Sequence, residues 1–186
     1  MDRMTNQSPY VPQPASGLIT RPESDGDADG IRCVLIEAFG GDTEAKLIHA
    51  LRNSGALTLS FVACTVGGIV GHVAFSPMHA DGEAERGDLL GLAPVAVHPQ
   101  WQRRGIGSAL VQCGLAECRR RGVIAVFVLG EPAFYARFGF IAAHTRTLRC
   151  VYEAPPGAFQ VLLLGDASTL PPAGLVRYRP EFDSLP

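Results

Sequence analysis

The stretch Val95-Ala-Val-His-Pro-Gln-Trp-Gln-Arg-Arg-Gly-Ile-Gly-Ser108 decides how this chain is read. An apolar strand ends at Val97, a polar turn follows, and Gln102-Arg103-Arg104-Gly105-Ile106-Gly107 opens a helix. Two glycines at a helix start leave backbone N–H groups uncovered. Unpaired donors and the positive end of the helix dipole favour a phosphate there. Arg103 and Arg104 add guanidinium donors suited to phosphate oxygens. The segment reads as a diphosphate cradle.

Working outward, 105–121 is an amphipathic helix whose last turn carries Arg119-Arg120-Arg121, complementing the dipole, with Gly122 as its stop. Before it, 89–97 is nearly continuously apolar, as in a strand buried on both faces. After it, 123–129 is a second buried strand. A strand–helix–strand unit of this kind implies one parallel pair. The segment 132–138 is a short helix with Pro132 at its start and Gly139 at its end. Upstream, 18–22 is a short strand. Asp27 or Asp29 caps a helix with an apolar face of Ile31, Val34, Leu35 and Phe39, stopped by Gly40-Gly41. A second short helix covers 44–51. Segments 57–65 and 69–77 flank Val66-Gly67-Gly68, which is a hairpin pattern. A polar loop covers 79–87, and later strands fall near 148–152, 159–164 and 175–178. The expected fold is an α/β mixed sheet, mostly antiparallel with one parallel pair, flanked by helices. Residues 1–16 are polar and broken by prolines and read as a loose arm. The expected domain spans 17–165, with 166–186 as a C-terminal extension packed upon it.

Bulk properties narrow the function classes. The 186 residues suit one domain, with 47% hydrophobic and 18% charged residues. A net charge of −2 gives no general attraction to nucleic acid or membranes. No signal-peptide core and no membrane-length apolar run is present, so a cytoplasmic location is expected. The five cysteines, Cys33, Cys64, Cys113, Cys118 and Cys150, form no Cys-x-x-Cys pair and read as reduced, mostly buried thiols. The five histidines are scattered without metal-ligand spacing, so no metal is expected. Ser108 lies in Gly-Ser-Ala-Leu, which is not a nucleophile elbow.

Three diphosphate ligands compete for the cradle. A P-loop needs a Lys-Ser/Thr pair after its glycines, and none is present. A dinucleotide fold needs Gly-x-Gly-x-x-Gly directly after the strand. Here Leu110 stands for the third glycine and seven residues separate Val97 from Gly105, although Glu131 mimics the ribose-binding acid. The third ligand is coenzyme A. Gln/Arg-x-x-Gly-x-Gly/Ala after a strand and opening a helix, followed by Phe134-Tyr-Ala-Arg-Phe-Gly-Phe140, resembles the GNAT superfamily of N-acetyltransferases over about 18–164. Within it the chain is similar to a bacterial subgroup that couples Val-His-Pro-x-Trp-Gln with Leu-Gly-x-Pro-x-Phe-Tyr, whose substrates are mostly unassigned.

That resemblance implies acetyl-CoA as cosubstrate, wedged between the strands ending at Val97 and Leu129, which splay apart in the family. It implies that backbone groups of Val95 and Val97 pair with the pantetheine amides and that amides from Arg103 to Ser108 hold the pyrophosphate. An N–H near Val95 or Ala96 would polarise the thioester carbonyl. A primary amine of a small molecule or protein would attack directly, and Tyr135 would protonate the departing thiolate. The usual fourth-strand carboxylate has no counterpart in Leu89-Leu-Gly-Leu-Ala-Pro-Val-Ala-Val97. Glu37, Glu131, His72, His98 or water remain as candidate bases, with His72 also reading as a core histidine and His98 as a turn cap. A second departure is Gly130-Glu131-Pro132, where many members carry a cofactor-contacting Asn. An acyl-CoA-binding regulatory module without turnover is the alternative from another class, and a nucleotide-dependent oxidoreductase a third. Homodimerisation is common in the family and stays open here.

Overall fold

Alternation of apolar side chains along the strands separates two core layers. The computed structural model describes residues 17–81, 88–166 and 173–184; the arm expected over 1–16 lies outside them. Strand β1 (Ile19–Pro22) is followed by helices α1 (Ala28–Phe39) and α2 (Thr43–Asn53). The hairpin β2 (Leu59–Thr65) and β3 (Gly68–Pro77) comes next, then the short β4 (His79–Ala80) and β5 (Leu89–Val97). Helix α3 (Ile106–Arg120) leads to β6 (Ala125–Leu129) and the short α4 (Pro132–Tyr135). Strands β7 (Ile141–Ala142), β8 (Leu148–Cys150), β9 (Phe159–Leu163) and β10 (Gly174–Arg177) complete the order.

Seven strands form the central sheet in the order β1-β2-β3-β5-β6-β9-β7. Every described pair in it is antiparallel except β5–β6. Helices α1 and α2 cover one face over Val62, Ala74, Ala96 and Phe127. Helix α3 covers the other over Phe61, Val73, Phe75, Leu92 and Val126. Gly114 permits that approach: a Cβ there would stand 2.2 Å from the Phe75 ring.

Several expectations change in detail. Asp27 precedes α1 but does not cap it with its side chain. Its carboxylate accepts from Arg21 Nη2 at 2.9 Å and from the Ser24 amide at 2.8 Å, so the ion pair takes the oxygens a cap would use. Residues 79–80 of the expected loop form β4, and 82–87 lie outside the described residues. β4 joins β10 and β8 in a second, three-stranded sheet whose Leu148 and Val176 pack in the α1–α2 layer, beside Tyr178 just past β10. This sheet unites distant short segments, so local periodicity does not announce it. Of the cysteines only Cys118 is buried, because α1 turns Cys33 outward and the rest sit at layer margins.

Candidate active site

The parallel pair is short. β5 and β6 are in register only at Leu89–Ala125, Leu90–Val126 and Gly91–Phe127. Beyond that rung β5 follows β3, with a register shift that places Ala93 and Pro94 opposite the single residue Ala74. The extra residue is a bulge, which bends a strand and raises its twist. β6 meanwhile follows β9 up to Leu129–Phe159. The two strands fork.

The cradle stands at the mouth of the fork. His98 Nδ1 accepts from the Gln100 amide, so this histidine caps the turn at Pro99–Trp101. Gln102 Nε2 donates to the Val97 carbonyl at 3.0 Å, tying the loop to the end of β5. Arg103 has φ 59° and Gly105 φ 82°. Left-handed residues among right-handed ones turn successive N–H groups into one concavity, an anion nest. The first backbone bond of α3 runs from the Ala109 amide to the Gly105 carbonyl. The amides of Ile106, Gly107 and Ser108 precede it and point out of the helix end.

Cradle and fork share one cavity of about 580 Å³. Nine of the eleven residues assigned to the cofactor or to the acid role line it: Val95, Val97, Gln102, Arg103, Gly105, Ile106, Gly107, Ser108 and Tyr135. Two do not. Ala96 is buried on the α1–α2 face, and its backbone is turned to His72 on β3, two residues before the His98 amide that donates to Val70, so it does not reach the fork. Arg104 leaves the cavity and lies over the Trp101 ring, 5.0 Å from its centroid. Gly130, Glu131, Phe134 and Arg137 also line the space. Read from the sequence, Phe134 and Arg137 have no cofactor role, and Gly130 is named only as a departure from the family's Asn. Arg137 lies over the Phe134 ring at 5.0 Å. A basic residue two positions after Tyr135 in the aromatic motif is the signal that could have found it.

Tyr135 is 9% exposed and packs edge-on against Phe134 and Phe140, with centroids 4.9 and 5.6 Å away. Burial pushes its phenol up to about 12. Gly130 makes room for the ring, since a Cβ there would meet Tyr135 Cε2 at 2.6 Å. Buried Gln160 holds this corner by donating to the Gly130 carbonyl at 3.2 Å. Gly130 is thus a residue the tyrosine ring requires.

The candidate bases separate by environment. His72 is wholly buried, with Nε2 2.8 Å from Ser60 Oγ, and burial aided by the Arg52 charge lowers it to about 3. It is a core histidine. Glu37 is exposed on α1. Glu131 accepts from the Ala133 amide at 3.3 Å as the cap of α4, yet also lines the cavity. Among the described residues no cluster could hold a metal, and no helix is long and apolar enough to cross a membrane.

A model of the GNAT acetyltransferase domain matches residues 57–142. The uncharacterized N-acetyltransferase YhbS of Escherichia coli is 41% identical over 169 residues, 89% of this chain and 99% of that protein. This chain belongs to the GNAT family of N-acetyltransferases. The crystal structure of Escherichia coli YhbS in complex with CoA superposes with a TM-score of 0.85 and 39% identity, covering 95% of this chain and 98% of that one. A GNAT acetyltransferase from Brucella melitensis in complex with acetyl-CoA gives a TM-score of 0.74 and 37% identity, covering 89% and 98%. The GNAT fold expected from the motifs is the fold found.

Proposed function

We propose that this GNAT enzyme transfers the acetyl group of acetyl-CoA to a primary amine of a small molecule or protein by direct attack. The observation that carries this reading is the continuity of the anion nest, the fork and the Tyr135 phenol within one cavity. The fit is chemical as well as spatial. The cradle offers unpaired amides and the Arg103 guanidinium to a pyrophosphate. The fork offers β5 backbone groups at Val95 and Val97 to the pantetheine amides, as an added strand would find them. The CoA and acetyl-CoA complexes of the two relatives support the same ligand here.

Residue roles follow from these positions. The Val95 N–H, turned away from β3 by strand alternation, polarises the thioester carbonyl, and the Ala96 N–H does not. A phenol is protonated at neutral pH, and burial raises that of Tyr135 further, so it can give a proton to the departing thiolate. With His72 sealed in the core, Glu131 is the ionisable base candidate that lines the cavity, and water is the other route for the ammonium proton.

Gly107 provides the test. A Cβ there would stand 3.6 Å from Val97 and 3.7 Å from Phe134, ordinary contacts at the cavity wall. Gly107→Ala therefore keeps acetyl-CoA binding, whereas Gly107→Glu fills the space and sets a negative charge beside the pyrophosphate. The expected result is thermal stabilisation of the unaltered chain by CoA and acetyl-CoA but not by NADH, and loss of that response in Gly107→Glu. A ligand at a hundred times its Kd stabilises by about 2.7 kcal/mol, a shift readily read. An undiminished response in Gly107→Glu would remove the cradle assignment. Binding without acetyl transfer across a broad amine panel would favour a regulatory acyl-CoA module.

A further inference from the structure

Coenzyme A carries three phosphates, and the cradle accounts for two of them. The third is a monoester on the 3′ carbon of the ribose whose 5′ carbon bears the diphosphate. A phosphate monoester carries a charge of roughly −1.5 to −2 near pH 7 and three strong acceptor oxygens. With the diphosphate in the nest, that group stands one sugar's width away.

Phe134 fixes where Arg137 stands. The tip of its ring, Cζ, would be 3.7 Å from a Cβ on Gly107, in the first turn of α3. The Arg137 guanidinium carbon lies 5.0 Å from the centroid of the same ring. One aromatic ring therefore separates the guanidinium from the cradle, and it lines the same cavity as Gly105, Gly107 and Ser108. The short turn Ala136–Phe138 that carries it is closed by the Gly139 amide, which donates to the Ala136 carbonyl at 3.0 Å. A planar guanidinium over an aromatic face keeps its N–H edge free for two phosphate oxygens.

Its charge is also unmatched. Arg120 and Arg121, at the end of α3, both donate to Glu117. Arg104 lies over Trp101, outside the cavity. Arg137 forms no ion pair among the described residues, and neither does Arg119. Both line a second cavity of about 240 Å³, which shares Arg137 with the cradle cavity and has no carboxylate in its described lining. Two cations facing one small cavity repel each other, and a bound dianion relieves that repulsion. Leu115 and Phe138 give this cavity apolar walls and Gln112 an amide, surfaces suited to a purine face and its edge.

We propose that Arg137 holds the 3′-phosphate of coenzyme A and so makes the chain selective for CoA over its 3′-dephospho form. This rests on the reading that the cradle holds the CoA diphosphate. The ligand's charge is divided between two elements. The nest and Arg103 at the start of α3 meet the diphosphate, and Arg137 in the turn after α4 meets the monoester. Binding there ties that turn to the cofactor, and Tyr135 lies two residues before it. No bond forms or breaks at this phosphate, so Arg137 determines specificity and takes no part in the chemical step.

The test is calorimetric titration with CoA and with 3′-dephospho-CoA. The unaltered chain is expected to bind CoA about 10–100-fold more tightly, the range for hydrogen bonds to a charged group. In Arg137→Gln that preference is expected to shrink to about threefold or less, while the affinity for dephospho-CoA stays within about twofold. Retained binding of dephospho-CoA also shows that the variant is folded. Arg120→Gln removes the same charge at a side chain held by Glu117 and is expected to keep the preference. Equal losses for the two ligands in Arg137→Gln would assign its side chain to the diphosphate and overturn the inference. So would an undiminished preference in that variant, an equal fall in Arg120→Gln, or an unaltered chain that binds the two ligands alike. An unaltered chain that binds neither ligand overturns the cradle reading itself, and this inference with it.

Discussion

Tyr135 fits its place only because Gly130 is bare. The tyrosine ring rests against the space a Cβ would occupy, and Phe134 and Phe140 close its other sides. Tyr135→Phe keeps that packing and removes the proton donor. Its kcat is expected to fall about 100-fold, within the range for general acids, while the Kd of acetyl-CoA stays within about threefold. Steady-state kinetics beside calorimetric titration would read both, and an equal loss in each would assign Tyr135 to packing. The phenol must be protonated to donate, and burial raises it to about 12. The alkaline limb due to Tyr135 is therefore absent from a kcat profile up to pH 10.5, and a limb near pH 10 that vanished in Tyr135→Phe would contradict its burial. Gly130→Ala drives a methyl into the ring at 2.6 Å. Fold stability is expected to drop by about 1–3 kcal/mol from overpacking, with kcat falling more than CoA affinity.

Two glycines on α3 show how an element divides its length between a cavity wall and core packing. Gly107, in the first turn, has only ordinary contacts around a missing Cβ. Gly114, two turns on, would place a Cβ 2.2 Å from the fully buried Phe75 ring. Alanine raises helix propensity by about 1 kcal/mol in the helix interior at Gly114, and by less in the first turn at Gly107. At Gly107 that gain stands alone, so Gly107→Ala is expected to be as stable as the unaltered chain or more so. At Gly114 overpacking of about 1–3 kcal/mol opposes it, and the backbone of α3 must lift from β3 to relieve the clash. Urea denaturation should show Gly114→Ala net destabilised; equal midpoints for both variants would refute this division. α3 and β5 were legible because each carries a long unbroken pattern, helical period in one and continuous apolarity in the other. β4 and β7 have two residues each, too few for any period, and the second sheet depends on pairing between segments far apart in the chain. The cradle was legible because loop and helix start are contiguous. Arg137 was not, since its place depends on how α4 docks. Arg104 shows the converse, a residue of the right type in the motif that a neighbouring Trp101 draws away.

The whole molecule carries a histidine in the layer between its sheet and α1–α2, and this sets its response to acid. His72 faces Val62 across β2–β3, fully buried, with Nδ1 unpartnered and Nε2 engaged by Ser60. Burial first, and the positive Arg52 second, hold its imidazolium down to about 3 in the folded chain, against 6.5 when unfolded. Between those values the unfolded chain binds a proton that the folded chain refuses. Stability from this group is therefore complete above pH 6.5 and is lost as the pH falls below it, by about 1.4 kcal/mol per unit. From pH 7 to pH 4.5 the loss comes to about 2–3 kcal/mol, comparable to a quarter of the total stability of a typical domain. Carboxylates paired in the fold add their own losses, so the isolating comparison is His72→Gln, which keeps a neutral hydrogen-bonding group beside Ser60 and removes the titration. Urea unfolding at pH 7 and pH 4.5 should show the unaltered chain losing about 2–3 kcal/mol more than the variant. Equal losses would mean that His72 takes up its proton while the fold is intact. The core layer would then open to solvent around β3, and His72 would return as a candidate base for the acceptor amine.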